Sequence, residues 1–149
     1  MSPFDVKSAL LAKHAQHVVI VHFPIALSLM SLLFDVLGRW RRASELATAA
    51  YYNLVGAAIS SLAAVATGLA AWQWQLGGTR LKGNLRLHLI FAITCTLMLW
   101  ALWWMRSRHR QAGQPPGVVY FAVATAMAVA IALTGHLGGF VSGVNLSGD

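Results

Sequence analysis

Six histidines are the residues of this chain with chemistry to offer: His14, His17, His22, His88, His109 and His136. Neutral imidazole is a common metal ligand, and apolar surroundings hold the ring neutral. His17 and His22 open one apolar stretch, His88 opens another, and His136 closes a third. If successive stretches alternate in direction, those ends share one face, and imidazoles from three segments gather at similar depth. His22 then lies roughly 6 Å inside a boundary set at Val18. His109, within RSRHR, stands apart and reads as a solvated loop residue. Ionisable groups inside membrane segments are functional candidates by default.

The other ligand types are poorly placed to join them. Asp35 lies at the far end of the first stretch, which disfavours a carboxylate-bridged di-iron site or a hard-cation site. Cys95 falls about two turns below His88, and Met30 is remote from His22. An all-imidazole site remains. One haem b with two axial histidines suits it: neutral ligands, an apolar slot and small residues such as Gly68 and Ala132 beside the ring. No stretch carries two histidines far enough apart to place a haem in each leaflet.

In an up-down bundle the first and third helices are diagonal. The second has no histidine. The expected axial pair is therefore His22 with His88, and the alternative is His88 with His136. His17, Arg80, Lys82, Arg86 and the backbone around Gly77 and Gly78 would receive the propionates. A Cu or Zn ion held by His17, His22, His88 and His136 is a second possibility. Against it, the i, i+5 spacing separates His17 from His22 by about 140° on a regular helix. A third reading has no cofactor: a structural subunit whose histidines bond lipid headgroups, loops or partner pigments.

Helices must position these rings, and the composition says of what kind. The chain has 149 residues, of which 58% are hydrophobic and 10% charged, against about 25% charged in soluble domains. Mean hydropathy is +0.63. A single domain of this size cannot hide so much apolar surface in water. The fold class is all-α, an integral membrane up-down four-helix bundle. This composition excludes disorder, a disulfide scaffold and a collagen-like fibre, and the lone Cys95 can form no internal bridge. A net charge of +7 reads as basic loops facing anionic headgroups rather than as nucleic-acid binding.

A helix needs about 20 apolar residues to cross a bilayer. Four stretches qualify, at about 18–37, 49–74, 87–105 and 118–139, in one transmembrane domain. The connections RWRRASE, GGTRLKGNLR and RSRHRQAGQPPG are short, which makes consecutive helices antiparallel neighbours. Pro116 suits the first turn of the fourth helix. The first stretch lacks a small-x-small cleavage site and is read as retained. Gly56, Ser60, Ala64 and Gly68 form one small-residue row. Ala122, Ala126, Ala130, Thr134 and Gly138 form another, beside Ala124, Ala128, Ala132 and His136. Such rows let helices approach closely or leave room for a flat cofactor. The N-terminal side carries Lys7, Lys13, Arg80, Lys82 and Arg86; the other carries Arg39, Arg41, Arg42, Arg106, Arg108 and Arg110 in tighter clusters. The positive-inside rule then places the arginine side in the cytoplasm and both termini outside. Trp40, Trp100, Trp103 and Trp104 read as an interfacial belt on that side, with Trp72 and Trp74 on the other.

The opening HVVIVHFPIAL at His17, the third-helix His88 and the closing GHLGGFV at Gly135–Val141 resemble the predicted membrane proteins catalogued as domain of unknown function 2231. The resemblance covers nearly the whole chain. Val18 stands where that pattern has Pro, and the second helix lacks an acidic residue after Gly68. The family's members can be fused to, or encoded beside, periplasmic cytochrome c or Rieske domains. The resemblance thus implies a redox setting and an outward-facing C-terminus.

Taken together, the expectation is a b-type haem protein of the bacterial inner membrane. It would be a small subunit of a redox or photosynthetic complex that passes single electrons between a membrane donor such as quinol and a periplasmic acceptor. Two axial histidines leave iron no open position, so a carrier is expected rather than an enzyme.

Overall fold

A backbone in hydrocarbon must satisfy its own hydrogen bonds, so each long apolar run becomes a helix. The computed structural model describes residues 15–75 and 77–141. Its helices are α1 (Ala15–Arg41), α2 (Ser44–Gln75), α3 (Gly83–Gln111) and α4 (Val118–Val141). All four are long and apolar enough to cross a membrane, and no strand occurs among the described residues. α1 packs most extensively on α2, and α3 on α4. The α2–α3 seam is looser, and α1–α4 contact is slight. The bundle is thus two tight antiparallel pairs laid side by side, with α1 diagonal to α3.

The helices outrun the apolar stretches. α3 continues to Gln111, so the RSRHR segment, expected as a loop, is helical. Arginine is a good helix former, and its aliphatic stem can lie along apolar surface while the head reaches polar ground. His109 accordingly sits on the last turn of α3, half-buried, where its Nδ1 donates to the Met105 carbonyl at 2.8 Å. The fourth helix begins at Val118 with Pro116 just outside it. The Pro116 carbonyl accepts from Arg39 Nη1 at 3.2 Å, tying the last connection to α1.

The turns are tight. Arg42 has φ of 52° and Ala43 N–H donates to Gly38 O at 3.1 Å, which reverses the chain between α1 and α2. Past α2, Gly77 and Gly78 have φ of 59° and 61°. Gly78 N–H reaches back to Trp72 O at 3.1 Å and closes the end of the helix.

The core follows a heptad along each helix. On α1 the buried residues are Pro24, Ser28, Ser31, Asp35 and Gly38; on α3 they are Cys95, Leu99, Leu102 and Arg106; on α4 they are Tyr120, Ala124, Met127 and Ile131. Large apolar side chains such as Phe23, Leu33, Ile59, Leu97 and Val129 point outward. In lipid the outer face is the apolar one, and small or polar residues are left to make the helix contacts.

Candidate functional site

The heptads decide where each histidine points. His17 is seven residues before Pro24, and His88 seven before Cys95, so both continue the inward stripe. His22 and His136 fall off it by about 200°.

His17 is half-buried between α1 and α2. Its Nδ1 lies 3.2 Å from Thr67 Oγ1. The Thr67 hydroxyl donates its own proton to the Ala63 and Ala64 carbonyls, at 2.9 and 3.1 Å. Its oxygen therefore accepts from His17 Nδ1–H. The ring fills the notch at Gly68, where a Cβ would come within 2.9 Å of His17 Cε1.

His88 repeats the arrangement between α3 and α4. Its Nδ1 donates to Thr134 O at 3.0 Å, since a carbonyl can only accept. The ring sits against Gly138, where a Cβ would come within 3.2 Å of Cε1. Both rings thus carry the proton on Nδ1 and leave the Nε2 lone pair for a ligand. A hydrogen-bonded Nδ1–H is how a ligating histidine is usually oriented. The two imidazoles sit on diagonal helices and lie within electrostatic reach of each other.

The other expected residues are placed differently. His22 is exposed, and its Nδ1 donates to the Val18 carbonyl of its own helix. His136 is exposed on the outer face of α4, edge-on to Phe140 with ring centroids 5.0 Å apart. Arg80, Lys82 and Arg86 lie at the histidine end and are exposed. His14 lies outside the described residues. Among the described residues no three of His, Cys, Asp or Glu converge as a metal-binding group.

The opposite end of the bundle holds a polar cluster that the sequence reading passed over. Asp35 is about 27 Å from His17 along α1 at 1.5 Å per residue. Arg106 Nη2 donates to Asp35 Oδ1 at 3.0 Å and to the Ala47 carbonyl at 3.0 Å. Tyr120 OH donates to Asp35 Oδ2 at 2.7 Å. One group from each of the four helices meets here. Arg106 looked like one more headgroup arginine; the available signal was its place in the α3 heptad.

DUF2231, described as a predicted membrane protein family, matches residues 13–144. The chain belongs to this family. No curated protein and no solved structure matches it. For this DUF2231 protein the family and the four apolar helices together establish a multi-pass membrane protein lying in lipid.

Proposed function

We propose that the protein is a membrane electron carrier that holds one haem b between His17 and His88. The observation that carries the reading is the matched state of these rings, each with Nδ1–H engaged and Nε2 free, on diagonal helices at one end of the bundle. The donor set fits the group. Haem asks the protein for only two axial ligands, and neutral imidazoles are a common choice. The notches at Gly68 and Gly138 are the places where a side chain would crowd the ligands. His17 and His88 belong to different helix pairs, so the loosely packed junction of the pairs is where the ring would lie. Bound haem would supply one-electron chemistry. Arg80, Lys82 and Arg86, exposed at this end, would receive the propionates. His17 replaces His22 in the axial pair because the α1 heptad turns His22 out of the bundle.

The setting follows from charge and resemblance. On this reading the membrane is a bacterial inner membrane, with the clustered arginines favouring a cytoplasmic far end and a periplasmic histidine end with both termini. There a cytochrome c or Rieske-type protein is the acceptor, within a larger membrane redox complex.

A cofactor-free structural subunit is the second reading. It is favoured by the fact that each ring already bridges two helices, as a packing pin would. The absorption spectrum of the detergent-purified full chain, expressed with haem supplied, separates the two. The carrier shows sharp reduced-minus-oxidised bands that His17→Ala and His88→Ala each abolish. His22→Ala and His136→Ala retain them. Absence of bands in the parent chain, or their survival in His88→Ala, overturns the proposal.

A further inference from the structure

The α2–α3 seam holds a second feature, independent of the histidines. In its middle lies an open apolar groove of about 280 Å³, lined by Leu62, Val65, Ala66 and Leu69 of α2 and Ile93, Thr96 and Leu97 of α3. Toward the arginine end, the same face of α3 continues as Trp100, Trp103, Ser107 and Arg110, at heptad spacing from Thr96.

This face carries unmet donors. Among the described residues the buried side-chain nitrogens without a hydrogen-bond partner are Trp100 Nε1 and Trp103 Nε1 on this face and Arg106 Nε on the inward stripe of α3. The two indoles pack edge-on, with centroids 5.4 Å apart. Trp103 lies beside the Tyr51 hydroxyl. Tyr51 OH and Ser107 Oγ are 3.5 Å apart.

At the rim, Arg110 is held over two rings, 4.6 Å from the Tyr51 centroid and 5.6 Å from that of Tyr52. Among the described residues the ion pair is Arg106–Asp35, and none of their carboxylates pairs with Arg110. From the rim inward the seam therefore offers a cation, then N–H donors about 10 and 15 Å deeper along α3, then an apolar trough.

We propose that this seam binds one anionic phospholipid. Its phosphate meets Arg110. Its glycerol backbone lies just below the phosphate, at the rim of the seam. One acyl chain lies in the groove. Charge complementarity selects an acidic lipid over a zwitterionic one.

Native mass spectrometry of the delipidated full chain, titrated with phosphatidylglycerol or phosphatidylcholine, tests the proposal. One phosphatidylglycerol stays bound, in preference to phosphatidylcholine. Arg110→Gln weakens it about tenfold, the loss of one charge-assisted contact. Arg41→Gln, an arginine stacked on Trp40 of α1, leaves it unchanged. Equal retention of phosphatidylcholine overturns the site. So does an Arg41→Gln loss as large as that of Arg110→Gln, which would mean diffuse surface charge. Retention of an isoprenoid quinone in the lipid's place overturns it too.

Discussion

Arg106 and Asp35, on diagonal helices, form a 3.0 Å ion pair in the core of a lipid-embedded bundle. Their side chains are 6% and 1% exposed, so neither charge is met by water. Removing one partner strands the other. Arg106→Leu is expected to cost about 3–5 kcal/mol, whereas Asp35→Leu combined with Arg106→Leu recovers much of that loss. Denaturant titration of the purified single and double variants measures the coupling. A double variant as unstable as the single one would show that the pair does not act as a unit.

Tyr120 adds a third arm to the same carboxylate. Tyr120→Phe keeps the ring, which is 1% exposed and packed in the core, and removes only the hydroxyl. A hydrogen bond to a charged acceptor is worth about 1.5–3 kcal/mol. Tyr120→Phe should fall in that range in the same titration, and a loss below about 0.5 kcal/mol would assign Asp35 to Arg106 alone.

The glycine notches make a graded prediction. A Cβ at Gly68 meets His17 at 2.9 Å and one at Gly138 meets His88 at 3.2 Å, while one at Gly135 meets nothing within 4 Å. Gly68→Ala should displace its ring most, Gly138→Ala less and Gly135→Ala not at all. Histidine ring resonances in NMR spectra of the purified protein report the order directly, and the haem bands of the proposed carrier should shift in the same sequence.

Cys95 is buried, with Sγ 3.5 Å from Thr134 Oγ1. Thr134 donates to Ala130 O at 2.7 Å, so the thiol donates to the hydroxyl. The folded protein should resist maleimide, with full labelling only after denaturation. Rapid labelling of the native chain would mean that the α3–α4 pair opens.

Orientation is open to the same reagent. In a Cys95→Ala background, Thr79→Cys sits in the α2–α3 connection and Gln114→Cys in the α3–α4 connection, both exposed. With the arginine end cytoplasmic, an impermeant maleimide applied to intact spheroplasts labels Thr79→Cys and spares Gln114→Cys. The reverse pattern would invert the protein in the membrane.

Run length and composition were enough to read the four helices and their antiparallel order. A backbone in lipid has few alternatives to a helix, and short connections leave little choice of neighbour. The inward faces were harder to read. Ordinarily an apolar stripe marks the core, but here both sides of each helix are apolar and the buried stripe of α1 carries Ser28, Ser31 and Asp35. The heptad that links His17 to Pro24 and His88 to Cys95 was present in the sequence, but it is a pattern of small and polar residues. His22, deeper in its stretch, therefore drew the attention that its outward face does not support.

What the sequence by itself determined is the membrane, the helix count and the end at which the imidazoles lie, because hydropathy and connection length are local quantities. Tertiary structure alone decided that His17 and His88 turn inward with Nδ1 engaged, and that Arg106 leaves the headgroup arginines to join Asp35 and Tyr120. Those choices depend on which helix surfaces touch. In lipid that is settled by close packing and hydrogen bonding between residues far apart in the chain, rather than by avoidance of water.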